Sequence, residues 1–222
     1  MTRLPTSPSL DVSAANSNLY SQRSTHGGAF MDALRSAGPG LYLIASGVGG
    51  GKNHALTQYL RELGRGPRRV FVAGEIRDRE LMQVALQCAE HGEHVLATVT
   101  AASVPAAVAR LRFFVGADPT EGRLETQLKA VLHHRLVKDW PGRLDALPVL
   151  LSDLQRFSSS ADFGPELDKH EIQGCYGDLA SRVASGQIDP RYLNPDWTYQ
   201  AAPPTAEEAG RLYTKLMQDL GY

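Results

Sequence analysis

The stretch SGVGGGKNHAL, Ser46 to Leu56, sets a lysine at the end of a glycine-dense loop. Such a loop can turn successive backbone N–H groups into one concavity, adding to the positive end of the helix that follows, and so hold a phosphate. Glycine permits the dihedrals this needs and lets an anion approach closely. Against the pattern G-x-x-x-x-G-K-[ST], the chain keeps Gly51 and Lys52, with Gly47, Gly49 and Gly50 inside the loop. Ser46 stands at the first glycine position, and Asn53 stands where a magnesium-binding hydroxyl belongs. Ser46, Gly47, Gly49, Gly50, Gly51, Lys52 and Asn53 are therefore the candidate phosphate-binding set. An amide coordinates magnesium less readily than a hydroxyl, so the loop favours phosphate binding over metal-dependent hydrolysis. The blander alternative is a glycine-rich strand–helix turn with an ordinary surface lysine.

A second charged constellation is GEIRDRE, with Glu75, Arg77 and Asp78 closing an apolar run. By itself it reads as a charged strand–helix turn. The histidines of HGEH, His91 and His94, lack the i, i+4 spacing that puts two imidazoles on one helical face, and no metal site is expected. Cys88 and Cys175 lie far apart without CxxC spacing, which points to a reducing compartment and away from a disulfide framework.

The elements that must position these residues follow from hydrophobic periodicity and turn chemistry. FMDALRS has helical spacing and stops at Gly38-Pro39-Gly40; LYLIAS is a short apolar run suited to a strand buried on both faces. After the loop, Leu56, Tyr59, Leu60 and Leu63 predict a helix with one apolar face. RRVFVAGEI reads as a second buried strand. RDRELMQVALQCAEHG reads as a helix with Leu81, Val84, Ala85, Cys88 and Ala89 inward and Gly92 at its C-terminal cap. HVLATV is a third strand, and Ser103 caps a helix that carries Pro105 in its first turn. A longer helix is expected from about Leu124 to Val137, and ALPVLLSDL reads as another strand. Alternating strands and helices imply an α/β fold with a mostly parallel sheet flanked by helices, binding at the carboxyl ends of its strands.

Around this core, residues 1–28 are rich in Ser, Thr, Asn and Pro and read as a disordered leader. The core is expected over 29–155, and 156–222 is expected to be a small loop-rich and helical C-terminal region. There SSSADFG is a linker, HEIQGCYGDLASRVASG a glycine-weakened helix, and Thr205 with Glu208 a capping box before a final helix. A chain of 222 residues with 42% hydrophobic and 21% charged content is that of a globular protein able to bury a real core. Its net charge of -1 advertises no bulk affinity for nucleic acid or anionic membrane. The local basic excess at Arg61, Arg65, Arg68 and Arg69 reads as a solvated helix end and turn. No apolar run approaches the ~20 residues needed to span a bilayer, and a cytoplasmic location is the simplest expectation.

The segment VFVAGEIRDRELMQVALQCAEHGEHVLATV closely resembles the Walker B segment of the secretion ATPases typified by PilT and GspE. The match extends upstream through GLYLIASGVGGGK and downstream through VPAAVARLRFF and AVLHHRLV, about half the chain. The resemblance implies a RecA-like P-loop core that binds ATP. It also implies homo- or hetero-oligomeric rings, and partners in secretion, pilus or conjugation machinery that alone bring the protein to the inner membrane. It implies phosphate binding by Lys52 and the Gly49–Gly51 amides, a Walker B acid at Glu75, and Arg77 and Asp78 linking Glu75 to its neighbours. The chain departs from the family at four points. Asn53 replaces the hydroxyl. The segment carrying the Asp box is absent between Lys52 and Glu75. Thr98-Val99-Thr100-Ala101 stands where the family has Thr-Leu-His-Thr, and the family's N-terminal domain is replaced by the leader. Phosphoryl transfer needs several such groups acting together, so their loss predicts binding with weak or no hydrolysis. An active ATPase using Glu75, and an interaction module without nucleotide, are the alternatives.

Overall fold

The protein is described here from a computed structural model covering residues 26–64, 69–116, 122–137 and 149–164, together with Leu167, Cys175, Asp178 and Arg182. The expected leader up to residue 25, the loop around Trp197 and the helix after Thr205 lie outside the described residues, as do Arg65 and Arg68.

The hydrophobic periodicity of β1 (Gly40–Ser46) explains the layering, because alternate residues belong to different cores. Leu41, Leu43 and Ala45 meet α3 (Arg79–Glu90) and α4 (Val104–Val115) on one face of the sheet. Tyr42 and Ile44 meet α1 (Gly27–Ser36) and α2 (Lys52–Leu63) on the other. Full burial of a Leu or Phe stabilises by about 1.5–3 kcal/mol, so a strand with every position buried must lie centrally. It does: the five strands run in the order β2-β3-β1-β4-β5. Here β2 is Val70–Glu75, β3 is His94–Thr100, β4 is Leu128–Val137 and β5 is Val149–Arg156. The first four are parallel, and β5 runs antiparallel to β4. This is the mostly parallel, helix-flanked α/β sheet that the alternation of elements predicts.

Local signals explain several element ends. Asp78 caps α3 by accepting the Leu81 N–H at 2.8 Å, and Ser103 caps α4 by accepting the Ala106 N–H. At the far end of α3, Gly92 adopts φ 87° while its N–H reaches the Ala89 carbonyl and that of Glu93 reaches Cys88. That pair of bonds is a Schellman closure, which favours glycine at this position.

Five expectations are corrected. The stretch expected as a helix to Val137 is a short α5 (Arg123–Gln127) followed by strand β4. Leu124, Leu128, Val131 and Leu132 do fall at helical spacing, but the vacant hydrogen-bonding edges of β1 and β5 favour a strand, and a short apolar run fits either. Second, β2 is not buried on both faces: it is the sheet edge, with Phe71 40% and Val72 39% exposed. Third, α3 turns Met82, Ala85, Leu86 and Ala89 inward, whereas Val84 faces solvent. Fourth, the core passes beyond residue 155. Phe157, Phe163 and Leu167 join it, and the expected linker contains a 3₁₀ turn, Ser160–Phe163, closed by a reciprocal Ser159–Asp162 capping box. At the other end, α1 begins at Gly27, inside the span read as leader.

Candidate functional site

The carboxyl ends of β1, β2 and β3 bring the sequence-predicted residues into one crevice. In parallel register, Ser46 pairs with Thr100 and Glu75 with Thr98. The chain leaves β1 through α2 toward β2 on one side, while β4 adjoins β1 on the other. Ligands bind at such reversals of strand order.

The loop owes its shape to its glycines. Gly49 and Gly51 hold φ values of 73° and 88°, in the left-handed region. A Cβ on Gly50 would sit 2.6 Å from the Ser46 hydroxyl, so a serine at the head of the loop obliges glycine at position 50. The Gly50 N–H is turned onto the Gly47 carbonyl at 3.1 Å, while Gly47 and Gly49 lie open to solvent. Gly51 precedes the first turn of α2, which carries no capping side chain and no acidic residue. Its N–H groups are thus free of a competing carboxylate.

Lys52 is buried, and its ammonium donates to the Ser46 and Gly47 carbonyls at 3.4 Å each. Burial lowers its pKa, the Glu75 charge opposes that shift, and Arg77 and Arg110 add to it by repulsion. Asn53 is exposed on the first turn, where its backbone carbonyl accepts from Thr57.

Glu75 is held at both oxygens. Thr100 donates its hydroxyl to Oε1 at 2.6 Å, and Arg77 donates Nη2 and Nε to Oε2 at 2.7 and 3.1 Å. The Thr100 and Arg77 hydrogen bonds hold the Glu75 carboxyl below the usual carboxylate range, and the Lys52 charge adds to this against a desolvation cost. At neutral pH Glu75 is an anion facing a lysine.

Two members of this constellation escaped the sequence reading. Thr100 figures there only as a departure from the family, yet it is a direct partner of Glu75. Arg110, on α4, donates to the Thr100 carbonyl at 3.3 Å and stacks over the Phe114 ring at 5.5 Å. The available signal was a lone arginine amid the apolar residues of VPAAVARL, one strand over from the loop.

The loop suits the phosphates of a nucleotide: a lysine, open glycines and an uncapped helix start converge there. Magnesium, which the chemistry of such folds implies, does not suit the donors present. Asn53 offers no hydroxyl, and both Glu75 oxygens already accept from protein donors. Among the described residues no group of three or more His, Cys, Asp or Glu could hold a metal ion.

Comparison with known proteins bears on the fold that carries this site. The family model of type II/IV secretion system proteins matches residues 48–145, from the middle of the loop past β4. Over that stretch the chain is similar to type II/IV secretion system proteins. No curated protein matches the chain. Among solved structures, the pilus retraction motor PilT with bound ADP is similar at TM-score 0.57 and 15% identity, over 87% of this chain and 66% of that one. The ATPase DotB of Legionella pneumophila is similar at TM-score 0.50 and 16% identity, over 86% of this chain and 55% of that one. This chain thus spans less than two thirds of the length of either structure, and at such identity the likeness concerns the fold. No helix among the described residues is long and apolar enough to cross a membrane.

Proposed function

We propose that the chain is a nucleotide-binding subunit of a pilus, secretion or conjugative transfer apparatus, binding ATP or ADP with weak or no hydrolysis. Lys52 neutralises the outer phosphates, and the N–H groups of Gly49, Gly51 and the first turn of α2 cradle them. The observation that carries the reading is that a buried lysine and an ionised Glu75 share one crevice while both Glu75 oxygens are already tied, to Thr100 and Arg77. A carboxylate so engaged is a weak base for activating water. The protein then works through contacts with machinery proteins, in a homo- or hetero-oligomeric ring, in the cytoplasm and at the inner membrane only through partners.

The test is ADP and ATP binding alongside ATP turnover. Binding should be lost in Lys52→Ala, and turnover should be near background in the unaltered protein. An active ATPase is the second reading, favoured by the ionised Glu75 opposite Lys52. Robust turnover abolished by Glu75→Gln would establish it in place of the first. Absence of any nucleotide binding would leave the interaction module.

A further inference from the structure

We propose that two arginines, Arg77 and Arg110, complete the anion subsite in place of a divalent cation, so that a nucleotide di- or triphosphate binds without magnesium. The inference rests on the nucleotide-binding reading and adds how the phosphate charge is met.

In a P-loop the lysine and a magnesium ion together offset the outer phosphates, and the ion is held by a hydroxyl at the position after the lysine. Here that position is Asn53, exposed and without a hydroxyl. The nearby carboxylate is already engaged, since Thr100 donates to one oxygen of Glu75 and Arg77 donates twice to the other. Magnesium demands near-ideal octahedral oxygen geometry, and at Glu75 it would have to compete with the Thr100 hydroxyl on one oxygen or with the Arg77 guanidinium on the other.

The positive charge is nonetheless present, in side chains. Lys52 and the Ala101 N–H both donate to the Ser46 carbonyl, at 3.4 and 3.0 Å. The residue before Ala101 is Thr100, whose carbonyl receives Arg110 and whose hydroxyl binds Glu75, which in turn holds Arg77. Arg110, Thr100, Glu75 and Arg77 therefore form one continuous chain beside the loop, and both arginines act on Lys52 through their charge. Three cations, Lys52, Arg77 and Arg110, thus lie close enough to interact through their charges, with one carboxylate, Glu75, among them. Guanidinium groups bind phosphate oxygens through two parallel N–H bonds. The Arg77 side chain is 73% exposed and Arg110 is exposed, so neither guanidinium is enclosed by protein, and both interact with the Lys52 charge.

The test is calorimetric titration of the full chain with ADP, once in EDTA and once with excess magnesium. The two affinities should differ by less than about tenfold. Arg110→Gln should weaken ADP by about tenfold in both conditions, and Arg110→Lys should recover part of that loss. An unliganded melting temperature close to that of the unaltered protein establishes that each variant is folded. Tightening by magnesium of about tenfold or more, or an Arg110→Gln affinity equal to the parent's, overturns the proposal while leaving nucleotide binding intact. Absence of ADP binding in both conditions overturns it together with the reading it rests on.

Discussion

At the carboxyl end of β2 Glu75 and the Arg77 that follows it are charged and in part open to water; on β4 and β5 His133, His134, Ser152 and Asp153 are buried, and the two histidines are neutral. His133 and His134 are adjacent on β4, so their rings fall on opposite faces of the sheet. His134 is 98% enclosed by surface, and neither ring nitrogen has a hydrogen-bond partner. Burial pushes its pKa down to about 3, with His133 adding to the shift. His133 shares Nδ1 with the Cys175 thiol at 3.3 Å, and burial pushes it down to about 4. Burial raises Cys175 itself to about 12, so the thiol stays protonated. Beside them Asp178 accepts the Ser152 N–H at 2.9 Å and pairs with Arg182, which also donates to the Leu150 carbonyl. Helical side chains thus occupy backbone groups of the edge strand β5, as a further strand would. The difference teaches where the energy goes: desolvated groups on β4 and β5 hold the fold, and the hydrated groups at the crevice are left to meet a ligand.

The largest expected effect tests the first half of that statement. Asp178→Ala strips a fully buried carboxylate from Arg182 and Ser152, and chemical denaturation should show a loss of about 3–5 kcal/mol. Next comes acid. The unfolded histidine titrates near pH ~6.5 and the folded His134 near 3, so the unfolded state binds the proton first. The stability term is intact above about pH 6.5 and falls as pH drops toward 3. At about pH 4.5, His134→Leu should be better off relative to the parent, compared with the same pair at neutral pH, by about 2–3 kcal/mol. Parallel stability–pH curves for the two proteins would break the comparison.

The crevice should respond differently. Thr100→Val removes the leading cause of the low Glu75 pKa, so carboxyl NMR should show Glu75 titrating at higher pH, with little change in the melting temperature. Smallest of all, Arg77→Gln removes a pair whose arginine is 73% exposed, and should change stability by less than about 1 kcal/mol. A large loss there would mean that the crevice is structural.

How much of this could be read beforehand varied from residue to residue. The loop and the strand before it were legible, because glycine density, an apolar run and a helical stripe are properties of consecutive residues. The Ser103 cap and the Gly92 closure were legible for the same reason. The inward face of α3 was not, because Leu81 and Met82 are equally apolar and only the packing of α4 selects one. Glu75 and Arg77 could be singled out, but Thr100 and Arg110 could not: Thr100 comes from another strand, and Arg110, which donates to the Thr100 carbonyl, from another helix.

Sequence by itself determined the alternation of elements as far as Val115, several of the turns and caps that end them, and the presence of a lysine-tipped glycine loop, since each depends on the conformational preferences of neighbouring residues. Tertiary structure alone decided that Leu128–Val137 is a strand, that Val70–Glu75 lies at an edge, and that Thr100 binds the Glu75 carboxylate while its carbonyl receives Arg110. Those outcomes depend on hydrogen bonds and burial between segments distant in the chain, which local periodicity does not encode.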